Sequence, residues 1–409
     1  MTSQPTRTVL LHVGTPKTGT SHLQDVLFRN REALAEQGVH YPAERFDAHF
    51  LAALDLMRLP WGGLEHEAIG AWDALADSVR DVTGTIIVSH EILATASRQQ
   101  VGRALASLGH GRADTEVHVI VSVRDLVRQI PAEWQENVKH RRVIRYRDFL
   151  DEIREPERTG TIATWFWGVQ EIPDILNRWA HDLPPDHVHL VTVPPSGSPR
   201  GILWERFSRT FGLDGLTLDV TEERANPSLG VPETALIRRL NVAVNAELPP
   251  GDYRPLVREL LAHRTLSQRT SSRRLTLPPT DHQWVRDLED AWIAEVEARG
   301  YQVCGSLAEL RGAPPVTDYA DPDHPDEAAV ASAGIDSLRV LLLELAETKA
   351  HAGRVEDELH HTKLALDRAL LRPSYIRRER TVRRLEGSRA GRVLLRLYRR
   401  GRGNNSRSA

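Results

Sequence analysis

Side chains that can bind a phosphate group occur together near the amino end of the chain. Gly14 and Gly19 interrupt an apolar stretch there, and Lys17, Thr20 and Ser21 supply one ammonium group and two hydroxyl groups. Ammonium and hydroxyl groups are common partners of phosphate oxygens, and a glycine-rich loop lets backbone N–H groups approach them closely. These residue types therefore favour the binding of an anion, with Lys17 as the positive charge beside it.

The residues on either side of this loop predict a strand before it and a helix after it. The run 9–13 is apolar or β-branched, and Leu23, Val26 and Leu27 recur at helical spacing. The loop would then lie at a helix N-terminus, where unpaired N–H groups and the helix dipole attract anions. A Walker A loop reads G-x-x-x-x-G-K-S/T, but here Thr20 stands at the lysine position. A purely structural turn is the alternative.

Lysine is scarce in this chain. Of the 53 basic residues only four are lysines, namely Lys17, Lys139, Lys349 and Lys363. A compact ammonium group differs from a planar guanidinium in reach and hydration, so a lysine in an arginine-rich chain marks a place that requires lysine. Lys17 is therefore a stronger candidate for a functional residue. Lys139 is a second residue of interest, with an exposed helix face as the alternative.

The composition indicates one large domain and an additional part. The chain has 409 residues, of which 40% are hydrophobic, enough for a sizeable core. The single cysteine, Cys304, excludes an intramolecular disulfide and a thiolate metal site. Together with a polar start and the lack of an apolar run of roughly 20 residues, it predicts a cytoplasmic protein without a signal peptide.

Two further apolar runs predict strands that end near charged side chains. Thr85–Ser89 is followed closely by Glu91, and Val117–Val123 is followed by Arg124. With helical patterns between them, these runs predict an α/β fold with a parallel sheet and helices on both faces. Ligands of such sheets bind beyond the carboxyl ends of the strands. Lys17, Glu91 and Arg124 should therefore border one crevice.

The loop resembles the segment P-K-T-G-T-S/T with which sulfotransferases hold the 5'-phosphosulfate of 3'-phosphoadenosine-5'-phosphosulfate (PAPS). The matching residues here are Pro16, Lys17, Thr18, Gly19, Thr20 and Ser21. Val123–Leu126, Pro131–Gln135 and Asn226–Gly230 extend the similarity to about residues 8–312. The chain is thus similar to PAPS-dependent sulfotransferases of the type common in actinobacteria. The resemblance implies PAPS as co-substrate, no metal ion, and donor contacts from the loop residues and Arg124.

The resemblance also implies how the 3'-phosphate of the donor is bound. In sulfotransferases an arginine after this strand and a serine eight residues later contact that phosphate. The corresponding residues here are Arg124 and Ala132. Because the hydroxyl is missing, other donors must take its place, and the candidates are Lys139, Ser228 and Arg273.

Transfer of a sulfuryl group to a hydroxyl requires positive charge at the leaving phosphate oxygen and a base at the attacking oxygen. Lys17 suits the first role. Glu91 is the first choice for the base, because carbohydrate-type sulfotransferases use a glutamate and Glu91 borders the crevice. His49 and His90 are rivals, since imidazole has a suitable pKa. A structural ion pair is the alternative for Glu91.

Two other stretches carry apolar side chains with a predicted position. Residues 64–82 predict one amphipathic helix with Ile69, Trp72, Leu75 and Val79 on its apolar face. The stretch 158–168, which is rich in Thr and Trp, predicts an irregular loop. Its rings would either line the pocket of an acceptor or form a small core under the loop.

Composition divides the chain into four predicted parts. They are a sulfotransferase-like P-loop domain (1–312), a linker rich in Pro, Asp and Ala (313–334), a candidate coiled-coil helix (335–371) and a basic tail (372–409). The helix has apolar residues at alternating spacings of three and four, which indicates self-association, or else docking onto the domain.

The basic tail differs in charge from the rest of the chain. Residues 371–409 hold 13 arginines and two glutamates, whereas the net charge of the whole chain is -3. The tail predicts either contact with an anionic membrane at its inner face or a solvated, disordered segment. A nucleic-acid partner is not expected, because the body is acidic and has no binding motif.

The resemblance, together with these patterns, implies an enzyme that moves a sulfuryl group from PAPS to a hydroxyl or amine of a small molecule, a glycan or a glycolipid. The alternatives are a nucleotide-dependent P-loop phosphotransferase and a P-loop scaffold without catalysis.

Overall fold

The computed structural model of the chain describes residues 5–199, 201–221, 228–371, 373–388 and 390–395. The chain forms two compact units, Met1–Ser337 and Leu338–Ala409, which are described separately.

The first unit is built on a six-stranded sheet. Its strands are β1 (Arg7–His12), β2 (Val39–His40), β3 (Gly84–Ser89), β4 (Thr115–Val123), β5 (Val188–Thr192) and β6 (Gln302–Cys304). The strand order is β2-β3-β1-β4-β5-β6, and every neighbouring pair is parallel. The predicted α/β fold with a parallel sheet is confirmed.

Fourteen helices lie wholly within the described part of this unit. They are α1 (Thr20–Arg29), α2 (Arg31–Ala35), α3 (Ala48–Met57), α4 (Leu64–Glu67), α5 (Ala71–Arg80), α6 (Arg98–Ser107), α7 (Leu126–Lys139), α8 (Tyr146–Arg154), α9 (Thr161–Gln170), α10 (Ile172–Trp179), α11 (Ile202–Thr210), α12 (Val231–Val244), α13 (Pro250–Tyr253) and α14 (His282–Arg299). Shorter 3-10 turns include Glu91–Thr95, Pro185–His187 and Leu307–Leu310, and Arg254–Thr265 is a π-helical segment.

The central strand β1 is apolar because both faces of the sheet are covered. Val9 and Leu11 on one face are 0% exposed, and Leu10 on the other is 7% exposed. One buried cluster joins β1, β4, α1 and α11 through Leu10, Leu23, Leu27, Ile120, Phe207 and Phe211. This packing sets where α1 begins, and therefore fixes the loop between β1 and α1 against the sheet.

Two local predictions are wrong. The stretch 64–82 forms two helices, α4 and α5, and Ile69 between them is 78% exposed, whereas Trp72, Leu75 and Val79 are buried on one face of α5 as predicted. Gly70 has a φ of 83° there, a left-handed conformation that ends the helical spacing. Residues 161–168 of the predicted irregular stretch 158–168 lie inside α9 rather than in a loop, because Phe166 and Trp167 are buried and their packing outweighs low helix propensity.

The helix α15 (Glu327–Leu370) begins eight residues before the predicted start at 335. Asp326 caps it, since its Oδ1 accepts the Ala328 N–H at 2.9 Å. Val330 and Ala333 are buried within the first unit. The amino end of α15 therefore lies inside the predicted linker.

The second unit consists, in its described part, of the remainder of α15 and of α16 (Pro373–Glu386). Five apolar side chains of the predicted row along α15 are about half exposed, namely Leu338, Leu345, Val355, Leu359 and Leu366. Self-association through this row stays a prediction. None of the described helices is both long and apolar enough to cross a bilayer.

Candidate active site

The loop after β1 runs along β4 before it enters α1. The Thr15 N–H donates to Ser122 O at 2.8 Å, and the Ser122 N–H donates to Gly14 O at 2.6 Å. Helix α1 then begins at Thr20, with Gly19 as N-cap and, in this described stretch, no side chain capping it. The N–H groups of His22 and Leu23 donate to Gly19 O, whereas no side-chain cap satisfies the N–H groups of Thr20 and Ser21 at the end of the loop.

Glycine is required at both ends of the loop. Gly14 has a φ of +115°, and a Cβ atom there would lie 2.7 Å from Glu91 O. Gly19 has a φ of +89°, and a Cβ atom there would lie 2.6 Å from a methyl carbon of Leu203. Both positions combine a left-handed backbone with a close neighbour. Gly14 thereby brings the loop into contact with the backbone of Glu91.

A buried polar network lies under the loop. His12 Nδ1 is 2.8 Å from Ser89 Oγ, and His12 Nε2 is 2.9 Å from Ser122 Oγ. The Thr18 hydroxyl lies 2.5 Å from Ser122 Oγ and donates to Thr15 O at 2.6 Å. Burial lowers the pKa of His12 to about 4, so the ring is neutral. The Thr18 hydroxyl therefore connects the loop to this network and stabilises the conformation of the loop.

Helix α7 supplies the wall on the β4 side of the loop. Its start is fixed by Asp125, whose Oδ1 accepts the Arg128 N–H at 2.9 Å, and by Glu289 of α14, which accepts the Leu126 N–H at 2.7 Å. Further along α7, the Gln129 amide donates to Pro16 O at 2.8 Å. The loop is thus tied directly to this helix.

Glu136 on α7 collects positive charges, among them Lys17. The ammonium groups of Lys17 and Lys139 lie 2.5 and 2.7 Å from Glu136 Oε2. His140 and Arg258 lie 3.2 and 3.4 Å from Oε1. Burial alone would raise the pKa of Glu136, but His140, Lys17 and Lys139 outweigh it and hold that pKa far below its ordinary value. One carboxylate therefore faces more positive charge than it can neutralise.

Glu133 lies one turn before Glu136 on the same helix. It is 5% exposed, and Gln170 Nε2 lies 3.3 Å from its Oε1. Burial raises the pKa of Glu133 to about 7, although the nearby Lys17 charge opposes the increase. The charge beside the lysines therefore changes near neutral pH.

Arg124 lies against the loop, as predicted. Its NH1 donates to Lys17 O at 3.3 Å, while its buried Nε has no hydrogen-bond partner in the part of the chain that is described. Burial, followed by the charge of Arg128, lowers the pKa of Arg124 to about 10. The guanidinium remains charged at neutral pH and is only weakly engaged by the protein, so it retains capacity to donate to an anion.

Glu91 lies on the other side of the loop, beyond β3. Its Oε2 accepts a hydrogen bond from Gln24 Nε2 of α1 at 2.9 Å, and His90 Nε2 lies 3.9 Å away. Burial would raise the pKa of Glu91, but His90 and Gln24 outweigh it and leave the pKa below its ordinary value. Glu91 is therefore ionised at neutral pH. It forms no ion pair with Lys17 in the described structure.

The two candidate histidines differ in their surroundings. His49 is 3% exposed, its Nε2 is 3.0 Å from Pro42 O, and its Nδ1 accepts the Ser89 N–H at 3.2 Å. Both ring nitrogens are thus engaged by the backbone, and burial lowers the pKa to about 4. His90 is partly exposed, and its Nδ1 lies 3.3 Å from the Ile92 N–H. The structure brings His90, but not His49, to the side chain of Glu91.

Three aromatic rings extend from His90 along the surface. Ring centroids are 5.0 Å apart for Phe50 and His90, 5.6 Å for Phe50 and Trp61, and 6.0 Å for Trp61 and Trp165. All of them are partly exposed. This aromatic row, defined as Phe50, Trp61 and Trp165, offers flat apolar faces beside His90, the neighbour of Glu91.

The candidates for the missing phosphate contact are spread over different places. Lys139 shares Glu136 with Lys17, whereas Arg273 donates to Asp318 O at 3.3 Å and is exposed. Ser228 is exposed. Residues 226 and 227 of the predicted motif lie outside the described residues.

Glu136 and Arg258 were missed by the sequence analysis, and only their proximity to lysines in the fold reveals them.

Comparisons with known proteins give little direct support. No protein-family model matches the chain, and no curated protein matches it significantly in sequence. Among solved structures, a sulfotransferase from Alicyclobacillus acidocaldarius is similar, with 16% identity, a TM-score of 0.37, and coverage of 62% of this chain and 99% of that chain. This likeness is too distant to establish a family, so the proposal below depends on the site.

Proposed function

We propose that the chain is a sulfotransferase that uses PAPS as donor and a hydroxyl or amine of a second molecule as acceptor. The observation that carries the proposal is the contact between Arg124 and the Lys17 carbonyl at the start of α1. It combines two cationic side chains with a helix N-terminus at the carboxyl end of β1. A Walker A lysine would instead stand at the position of Thr20.

The phosphosulfate of the donor would bind at the N-terminus of α1. The N–H groups of the first turn and the hydroxyl groups of Thr20 and Ser21 supply donors there, and the helix dipole adds positive potential. Lys17 reaches the same place from within the loop. When an anion binds, it competes with Glu136 for the Lys17 ammonium group.

Lys139 is the candidate for the 3'-phosphate that the geometry favours. It shares a carboxylate oxygen with Lys17, while Arg124 approaches the loop from the same strand end. Arg258 belongs to the same group of cations. An ammonium group in this place would supply the contact that Ala132 lacks.

The reaction would proceed by attack of the acceptor oxygen on sulfur. The bond between sulfur and the phosphate oxygen breaks as the new bond forms, and 3',5'-ADP leaves. Lys17 stabilises the negative charge on the leaving oxygen, and the ionised Glu91 takes the acceptor proton. The aromatic row beside Glu91 would hold the acceptor, by stacking on a sugar or another ring.

Calorimetric titration with 3',5'-ADP, 5'-AMP and ATP with Mg²⁺ tests the donor without knowledge of the acceptor. We expect 3',5'-ADP to bind at least about tenfold more tightly than 5'-AMP, since one good charged contact contributes about 1.4 kcal/mol or more. A preference for ATP with Mg²⁺ would instead indicate a phosphotransferase. A chain that binds none of the three would be a scaffold.

A further inference from the structure

A second group of polar side chains lies at the amino ends of β4 and β5, whereas the loop follows the carboxyl end of β1. Glu116 and His118 stand near the start of β4, and His187 and His189 stand at the start of β5. These two strands are parallel neighbours, with Val119 paired to Val188. Residues two apart on a strand point to the same face. The two pairs therefore meet on one face of the sheet.

Three of these side chains bring their donor atoms together. Glu116 Oε1 is 3.0 Å from His187 Nε2, and Glu116 Oε2 is 3.7 Å from His118 Nε2. The rings of His118 and His187 are stacked, with centroids 4.3 Å apart and planes at 19°. One donor atom of each residue lies within 4.8 Å of the others. Tetrahedral zinc, with bonds of about 2.0–2.1 Å, holds its ligand atoms about 3.3 Å apart.

In His118 and His187, Nε2 faces Glu116, and Nδ1 on the other side of each ring contacts a different group. His187 Nδ1 is 3.2 Å from Val117 O, and His118 Nδ1 is 3.0 Å from His189 Nε2. A carbonyl can only accept a hydrogen bond, so His187 Nδ1 carries the proton in that contact. His187 Nε2 then faces a carboxylate oxygen, and a cation, either a proton or a metal ion, must lie between them. Metal-binding histidines usually have their second nitrogen fixed in this way.

We propose that Glu116, His118 and His187 bind one divalent transition-metal ion, with Zn²⁺ as the preferred ion and His189 as a positioning residue. Two imidazoles and one carboxylate suit Zn²⁺, Co²⁺, Ni²⁺ or Cu²⁺, whereas Mg²⁺ and Ca²⁺ prefer oxygen ligands. The side chains of His118, His187 and Glu116 are 16%, 21% and 37% exposed, so an ion can enter from solvent.

The site would join two strands rather than take part in sulfuryl transfer. Its ligands come from β4 and from the turn before β5, and the proposed donor lies beyond the other ends of the same strands. An ion bound only by the folded chain stabilises it by mass action. We therefore expect Zn²⁺ to raise the midpoint of thermal unfolding without a requirement for PAPS or 3',5'-ADP.

Titration of the metal-stripped, tag-free full chain with ZnCl₂ tests the proposal. We expect one equivalent of Zn²⁺ to bind and to raise the thermal midpoint, and Co²⁺ to give visible absorption typical of tetrahedral coordination. His187→Ala and the isosteric Glu116→Gln should abolish these effects. His189→Ala should lower the affinity by about 10–100-fold.

The matched control is the double variant His360→Ala/His361→Ala, which removes a neighbouring histidine pair on α15. It should bind Zn²⁺ as the unchanged chain does. Far-UV circular dichroism establishes that each variant is folded. The proposal is overturned if the unchanged chain does not bind Zn²⁺, if folded His187→Ala and Glu116→Gln bind it equally well, if only the double variant loses binding, or if Mg²⁺ binds as tightly.

Discussion

The loop after β1 has two unlike neighbours. On the side of α7, Lys17, Lys139 and Arg258 surround Glu136. On the side of β3, Glu91 stands beside His90 and the aromatic row. The first side offers positive charge for a multiply charged anion, and the second offers a base and flat apolar faces. Under the proposed function, the donor would bind on the first side and the acceptor on the second, so substitutions on the two sides should have separable effects.

The largest effect is expected from Lys17→Ala, on the α7 side. It removes the charge that serves both the bound donor and the leaving oxygen, so kcat/KM should fall by about 1000-fold or more. The affinity for 3',5'-ADP, measured by calorimetry, should fall as well. Lys349→Ala, which removes an exposed lysine of α15, is the control and should change neither quantity. Near-normal activity of Lys17→Ala would rule out the mechanism.

Glu91→Gln should affect only the chemical step. The amide keeps the size of the side chain and can still contact Gln24, but it cannot take a proton, so kcat should fall by about 100-fold. The measurement is transfer to whichever member of a panel of glycans and phenols the unchanged protein sulfates. Binding of 3',5'-ADP should be unchanged. A loss of donor affinity in this variant would mean that the two sides are not separate.

Glu136→Gln should strengthen donor binding. The carboxylate competes with the donor for Lys17 and Lys139, so its removal should raise the affinity for 3',5'-ADP by about three- to tenfold and steepen its dependence on salt. The same change leaves cations without their partner, and the thermal midpoint of the ligand-free protein should fall. Weaker binding by a folded variant would show that Glu136 positions the lysines rather than competing for them.

The smallest effect concerns pH. Glu133 has a pKa raised to about 7, so it gains negative charge beside Lys17 as pH rises from 6 to 8. The affinity for 3',5'-ADP should therefore decrease over this range by about fivefold, equivalent to about 1 kcal/mol. In Glu133→Gln this component should disappear, and a profile of unchanged steepness would assign the titration to another group, such as the nucleotide phosphate.

The parts of this arrangement that the sequence predicted are those with a local cause. An apolar run, two glycines and a helical repeat within about 20 residues are enough to place Lys17 at a helix start, and the end of β4 places Arg124 beside it. The position of Glu91 could be predicted from the end of β3 alone. Their roles in binding and catalysis stay predictions.

The remaining features depend on contacts between distant segments. Arg258 reaches Glu136 from a π-helical segment, and no pattern in either stretch signals the pair. Likewise, Glu116 and His187 are brought together only by the pairing of β4 with β5. The error at α9 has the same origin, because burial of Phe166 and Trp167 decides its conformation. Neither local propensity nor spacing contains this information.

His12 lies between the two strand ends that carry Glu91 and Arg124. Its two ring nitrogens contact Ser89, which precedes Glu91 by two residues, and Ser122, which precedes Arg124 by two residues. Because β1 pairs with β3 on one side and with β4 on the other, this ring bridges the two strand ends across the sheet and joins their serine hydroxyls under the loop. Under the proposed function, a side chain that cannot bridge both serines would loosen the floor of the loop between the two sides, and so would act on transfer without touching either molecule.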